Sequence, residues 1–201
     1  MVSVKVHFNS KRPWEVCLRK LFILLPCVFL AGCWQSTGSL FGDAKPVQPF
    51  RAGKLVATNS DKPADVSHSV LTKQKDGSYR LASTDKADLG DAMVVRFIAL
   101  PGLPENTYVF EAVSDDACKS GQTCHPMTAQ SERDYGLVRL TKTGAEVFNP
   151  DCAKSGAVAK LPGVKADDYG SCSFTNRASL EKALLDLAKQ GWKTSVTYKY
   201  E

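Results

Sequence analysis

Short apolar runs separated by turn residues fill the chain from residue 54 onward, and they constrain its fold more than any other feature. Residues 54–58 form one candidate strand, and residues 69–74 and 78–82 flank an Asp76-Gly77 pair. An Asp-Gly pair between two such runs is a strong hairpin signal, because the turn requires residues with positive φ. We therefore expect a sheet built from antiparallel hairpins.

Further strands are predicted in the middle of the chain. The candidate 91–100 contains the run 93–100, which is apolar on both faces apart from Arg96, as is typical of a central strand. Residues 107–113 form another candidate, and residues 135–141 and 145–148 predict a second hairpin that turns at 142–144.

One helix and a final strand complete the pattern. Asn176 is a good N-cap, residues 178–190 place leucines on one face, and Gly191 is a natural stop. Residues 192–200 then alternate between apolar and polar side chains, as in a half-exposed strand. The predicted fold class is α+β: an antiparallel sheet built from hairpins, braced by disulfides, with one C-terminal amphipathic helix packed on it.

The first 32 residues have the organisation of a secretory signal peptide. A basic segment ends at Arg19-Lys20, and an uncharged apolar run of 11 residues, 21–31, follows it. This run has the length of a signal-peptide core and is too short to span a membrane, which needs about 20 residues. We therefore expect residues 1–32 to be absent from the mature protein.

The junction that follows, Leu30-Ala31-Gly32-Cys33, resembles the lipobox of bacterial lipoproteins at every position. The resemblance implies that the Cys33 thiol receives a diacylglyceryl group. It also implies cleavage between Gly32 and Cys33, followed by acylation of the new amine with a palmitate-type chain. Two or three acyl chains give stable anchoring. Because Asp does not follow Cys33, the sorting rule of the family implies the outer membrane, with the protein facing the periplasm.

The expected domain organisation has three parts. Residues 1–32 are the signal peptide, residues 33–53 are the lipidated Cys33 and a flexible tether, and residues 54–201 are the globular domain. Gly and Pro interrupt the tether, and no helical or strand period persists in it. A coil of ~20 residues would span roughly 25 Å. The alternative is that Leu40, Phe41 and Phe50 dock on the domain.

Four cysteines remain in the globular part: Cys118, Cys124, Cys152 and Cys172. An even number in an oxidising compartment favours two disulfides, and three pairings exist. We favour Cys118–Cys124 and Cys152–Cys172. A zinc site made of these cysteines and His125 is the alternative, but the paired C-x2-C spacing of structural zinc sites is missing.

The sequence favours binding over catalysis. Five of the 26 Lys and Arg but one of the 21 Asp and Glu lie in residues 1–32, so the rest carries a net charge near +1 and lacks a footprint for nucleic acid. No nucleophile, zinc-protease or phosphate-loop motif occurs in the sequence. We expect a membrane-anchored envelope lipoprotein that is not an enzyme and has no catalytic residue, metal or cofactor.

The expected partners are an envelope protein or peptidoglycan. We expect the binding surface to lie in the two cross-linked segments, residues 118–135 and 152–172. An inhibitor of envelope-attacking enzymes such as lysozyme is the alternative, and an envelope hydrolase is a weaker one.

Overall fold

The computed structural model describes residues 34–86, 92–114, 131–150, 152, 156–167, 170–191 and 193–201. These residues form eleven strands, one short 3-10 helix at Val158–Lys160 and one α-helix, α1, at Arg177–Gln190. In chain order the strands β1 to β11 are Trp34–Thr37, Gly53–Asn59, Val66–Lys73, Tyr79–Ser83, Ala92–Ile98, Thr107–Ser114, Glu132–Leu140, Gly144–Phe148, Val164–Ala166, Cys172–Phe174 and Val196–Tyr200.

Eight of the strands close into a barrel. Their order is β6-β5-β4-β3-β2-β11-β8-β7, and β7 pairs back with β6. All neighbours in this ring are antiparallel. Closure removes the exposed edges that an open sheet would present, and eight strands leave an interior that side chains can fill. The expected sheet of hairpins is therefore present, and it closes on itself.

The long strand β7 carries a second, smaller sheet. Its residues Leu137–Leu140 pair with β8, and its residues Glu132–Tyr135 pair along the same edge with β1. Strand β1 then pairs with β10 in parallel, and β10 pairs with β9. The barrel wall thus continues into a flap of three short strands beside β7.

Alternation along the strands produces two apolar cores, one inside the barrel and one outside it. The interior core contains Phe97, Phe110 and Val138, with the ring of Phe110 lying over Gly136, where no side chain would fit. The outer core lies between the barrel wall, the flap and α1, and contains Trp34, Leu137 and Leu180 among others. β5 lies where the barrel wall has a core on each side, so apolar side chains on both of its faces are buried.

The flexible tether predicted for residues 33–53 is wrong over the described residues 34–53. Trp34 and Phe41 are fully buried in the outer core, and Phe50 is buried in the barrel interior. The alternative, docking of this segment on the domain, is what the structure has. The described residues 34–53 are therefore packed together with the strands and helix that follow them.

The predicted hairpins and helix are confirmed. The β3–β4 hairpin turns at Asp76-Gly77, where Gly77 has φ 88° and the Asp76 carboxylate accepts a hydrogen bond from the Ser78 amide. The side chain of Asn176 accepts a hydrogen bond from the Ser179 amide and caps α1. The helix packs on the outside of a closed wall, and not on an open sheet.

A disulfide joins Cys152 to Cys172, as predicted. Both sulfurs are buried in the outer core, and Cys172 lies directly beside Trp34 in the register of β1 and β10. The bridge connects the segment after β8 to the flap. It therefore holds the flap against the barrel at the strand that begins the domain.

Removing this bridge should destabilise the protein. The cysteines are 20 residues apart, and closing a loop of that size is worth about 3 kcal/mol in the chain-entropy model. We expect the double variant Cys152→Ala/Cys172→Ala to lose about 2–5 kcal/mol of unfolding free energy, measured by urea denaturation.

The variant Cys118→Ser/Cys124→Ser is the matched control, because it removes a pair separated by only six positions. We expect it to lose less, since a short loop is already cheap to close. Equal losses of unfolding free energy in the two variants would contradict the expectation that the Cys152–Cys172 disulfide stabilises the fold more than the other pair.

Candidate functional site

The predicted site residues divide between described and undescribed parts of the chain. Gly32, Cys33, Cys118, Cys124 and His125 lie outside the described residues. Because Cys152 and Cys172 are bonded to each other, they cannot serve as thiolate ligands of the alternative zinc site. Within the described ranges, no three His, Cys, Asp or Glu side chains are grouped closely enough to hold a metal ion.

The barrel interior contains an apolar cavity of about 50 Å³. Residues from all eight barrel strands and from the segment before β2 line it, among them Leu55, Leu71, Val95, Ala145 and Val147. The lining is apolar, and aromatic rings surround it at one end of the barrel. An engineered apolar cavity of about 150 Å³ in another protein stays dry and binds benzene. This one is smaller, but the same physics favours an apolar occupant over water.

Phe50 closes the barrel at the end where β2 begins. It belongs to the irregular segment between β1 and β2, and its ring lies 4.6 Å from that of Phe97 and 6.1 Å from that of Tyr79, between centroids. The Tyr79 hydroxyl accepts a hydrogen bond from the Phe50 amide at 3.0 Å and donates one to the Phe50 carbonyl at 2.8 Å. Burial raises the pKa of Tyr79 to about 12, so its proton stays in place near neutral pH. Phe50 is thus a plug supplied by the chain itself.

Three polar side chains lie inside the barrel toward the opposite end, among apolar neighbours of the interior core. Ser69 and Ser83 face each other across β3 and β4, and both are buried. Asp134 of β7 shares the face of Ala112, which lines the cavity. Burial raises the pKa of Asp134 to about 6, although a hydrogen bond with Gln35 opposes the shift. The aromatic rings of the interior therefore lie toward the plugged end, and these three polar groups lie toward the other end.

A buried polar cluster on the outer wall attaches the segment that follows β1. Glu111 is 1% exposed and lies 3.3 Å from the Arg96 guanidinium and 4.0 Å from that of Arg133. Its other carboxylate oxygen accepts hydrogen bonds from Ser39 at 2.6 Å and from the Tyr135 hydroxyl at 3.2 Å. One carboxylate thus joins three barrel strands to the segment.

Arg96 and Tyr135 extend this attachment to the backbone of the segment. Arg96 donates to the Ala44 carbonyl at 2.9 Å, and the Leu40 amide donates to the Tyr135 hydroxyl at 3.0 Å. Burial, followed by the negative charge of Glu111, raises the pKa of Tyr135 to about 12. On the outer side, Arg177 of α1 pairs with Asp43 at 2.7 Å. The segment is therefore held between the barrel wall and the helix.

Among the described surface residues, the exposed pair His68–Asp85 is the arrangement that most resembles part of a catalytic site. The His68 Nδ1 lies 3.1 Å from Asp85, and its Nε2 lies 4.0 Å from Glu201. Both ring nitrogens therefore face carboxylates. In a catalytic triad, a nucleophilic hydroxyl or thiol would take the place of one of these two carboxylates. This arrangement suits an ion pair more than a general base.

Docking of Phe50 was an alternative prediction from the sequence, but its place at the end of the barrel and the Glu111 cluster were not predicted. A signal existed for each: Arg96 interrupts an apolar strand and Glu111 interrupts the next one, and they are directly paired in the register of β5 and β6. Phe50 stood out as an aromatic side chain in a segment without periodicity. The positions of these side chains depend on contacts between residues that are far apart in the sequence, and the hydrophobic periodicity of the sequence does not encode such contacts.

Comparisons with known proteins identify no relative: no family model, no curated protein and no solved structure matches this chain. Across the described ranges, no helix is both long enough and apolar enough to cross a membrane.

Neutralising Glu111 should weaken the attachment of the segment after β1. In Glu111→Gln the two guanidinium groups lose their buried counter-charge, and breaking such a pair typically costs roughly 3–5 kcal/mol. We expect a loss of that order in urea denaturation, together with faster amide hydrogen exchange at residues 38–44.

Glu146→Gln is the matched control, since Glu146 pairs with Arg139 on the surface at 2.6 Å. Exposed pairs contribute at most about 1 kcal/mol, so this variant should change little. If both variants lose the same free energy, the Glu111 cluster is not the main attachment.

Proposed function

We propose that this chain is a lipid-anchored binding module of the bacterial cell envelope that holds a small apolar ligand inside its barrel. The observation that carries the binding part is a closed barrel around an apolar cavity, with Phe50 at one end of the barrel. Apolar cavities inside proteins stay dry and take up small apolar molecules. The barrel walls supply a preformed shape, which lowers the ordering cost of binding.

The anchoring part of the proposal depends on the resemblance of residues 30–33 to a lipobox. A ligand-binding barrel attached by acyl chains would act at the membrane surface, where apolar molecules concentrate. The buried disulfide is in keeping with an oxidising compartment, because such bonds persist outside the cytosol. The proposal assigns the protein no catalytic step.

Toluene tests the binding part. We expect it to bind wild type weakly, since the Phe50 ring fills part of the interior, and to bind Phe50→Ala at least about tenfold more tightly, a difference of 1.4 kcal/mol. The truncation removes one aromatic ring beside the cavity. Amide chemical shifts of cavity-lining residues such as Val95 and Val147, followed by NMR during titration, measure both affinities.

Ala145→Leu is the control, because a larger side chain at this buried position fills the cavity. It should abolish toluene binding in both backgrounds. Binding that occurs in Phe50→Ala but not in wild type would show that the interior is an ordinary packed core, and would contradict the proposed function.

Anchoring is tested separately by Cys33→Ser. We expect this variant to lose labelling by radioactive palmitate and to accumulate as an unprocessed precursor, because the thiolate is the nucleophile that forms the thioether. Cys27→Ser lies in the apolar core of the leader and should still be labelled and processed. Cleavage before residue 33 and membrane retention without Cys33 would contradict the lipobox assignment.

A further inference from the structure

The hydroxyl of Tyr79 binds the backbone of the plug as a neighbouring strand would. Tyr79 is fully buried, and its hydroxyl accepts a hydrogen bond from the Phe50 amide at 3.0 Å and donates one to the Phe50 carbonyl at 2.8 Å. The N–H and C=O of an extended residue lie on the same side of the chain, where a residue of an antiparallel neighbour exchanges two hydrogen bonds with them. Here one side-chain hydroxyl takes the place of that neighbouring residue.

The segment that carries the plug lies between β1 and β2 and has no helix or strand of its own around it. Besides the bonds to Tyr79, the Val47 amide donates to the Phe97 carbonyl at 2.8 Å, and the Tyr200 hydroxyl donates to the Arg51 carbonyl at 3.0 Å. The side chain of Arg51 is exposed. Withdrawing the plug therefore breaks hydrogen bonds of this segment and leaves the strand pairing of the barrel wall intact.

The plug fills its site incompletely. The Phe50 ring lies 4.6 Å from that of Phe97, between centroids, and also lines the apolar cavity of about 50 Å³ that remains inside the barrel. Atoms that line an empty space lose the dispersion contacts that a neighbour would give them. An apolar side chain larger than phenyl, held by the same two hydrogen bonds, would fill both the place of the ring and the cavity.

A ligand that takes the place of the plug must also satisfy the buried hydroxyl. Burial raises the pKa of Tyr79 to about 12, so the hydroxyl stays one donor and one acceptor near neutral pH. Leaving either function unpaired in the apolar interior costs binding free energy. The N–H and C=O that satisfy it lie on either side of one tetrahedral carbon, the Phe50 Cα. A single trans amide cannot replace them, because its N–H and C=O point in opposite directions.

We infer that the ligand of the barrel is an N-acylated amino acid unit with a large apolar side chain, and that Phe50 occupies its place in the free protein. The inference rests on the proposed function, in which the interior holds a ligand, and it names the chemical class of that ligand. Tyr79 is then the specificity-determining residue. Its hydroxyl binds the N–H and the C=O of the ligand, and the barrel interior takes the side chain.

Two ligands that differ in one group test this inference. N-acetyl-naphthylalanine methylamide carries the N–H and the C=O, and its ester analogue has an oxygen in place of the acylated N–H. We expect wild type to bind the amide at least about tenfold more tightly than the ester, a difference of 1.4 kcal/mol, because the ester leaves the Tyr79 oxygen without its donor. NMR titration followed at the Val95 and Val147 amides measures both affinities. Hydrogen exchange at the Phe50 amide should become faster on binding, since the plug is displaced.

Tyr79→Phe should remove the preference for the amide over the ester. Release of the plug is common to both ligands, so it cancels from the ratio of their affinities. Tyr135→Phe is the matched control, because it removes another buried hydroxyl that binds the same segment, at the Leu40 amide, outside the barrel interior. This control should keep the preference.

Three results would overturn the inference: equal binding of the two ligands by wild type, a preference that persists in Tyr79→Phe, or unchanged exchange at the Phe50 amide when the amide ligand is bound. The first and third measurements use wild type alone, so they decide the inference even if Tyr79→Phe does not fold.

Toluene separates the inference from the proposed function. Binding of toluene to wild type without binding of either naphthyl ligand would refute the inference and leave the proposed function in place. Preferential binding of the amide without binding of toluene would refute the small apolar ligand and leave recognition by Tyr79 in place. Failure of all three ligands to bind would refute both.

Discussion

The structure depends on β7 more than on any other element. Its nine residues pair with β6 on one edge, which closes the barrel, and on the other edge they pair first with β1 and then with β8. This division lets one strand belong to both the barrel and the flap. It also gives β7 two covered faces, so that Leu137 lies in the outer core while Val138 lies in the interior. Loss of its register would open both cores together.

The segment between β1 and β2 illustrates how buried charge can specify a structure. Placing Glu111 and Arg96 under a covering segment requires that every charge be matched, and the Ser39 hydroxyl, the Tyr135 hydroxyl and the Ala44 carbonyl supply the remaining hydrogen bonds. A buried pair of this kind is costly to break and contributes modestly when complete. The cluster fixes the path of the segment along residues 39–44, upstream of Phe50.

Two properties of the molecule follow from that path. The segment supplies the plug of the apolar interior, and it connects this plug to β1, which pairs with residues 132–135 of β7. In the proposed function, the same stretch of chain would therefore link the lipid anchor to the ligand site. Movement of Phe50 would break its two hydrogen bonds with the Tyr79 hydroxyl.

Local features of the chain were readable from the sequence because they depend on near neighbours. The Asp76-Gly77 turn needs a positive φ, and the Asn176 cap satisfies an amide three residues away. Alternation in residues 192–200 predicted a strand with one buried face, and the structure has it over Val196–Tyr200. The Cys152–Cys172 pairing followed from their placement between the second hairpin and the helix. Closure of the barrel was decided only by tertiary structure, since pairing of β6 with β7 and of β2 with β11 brings together residues that no periodicity relates. The same holds for residues 34–53, whose lack of period predicted a coil. Their apolar side chains are distributed between two cores, one on each side of the wall, and only the folded barrel places those cores where Trp34, Phe41 and Phe50 can reach them.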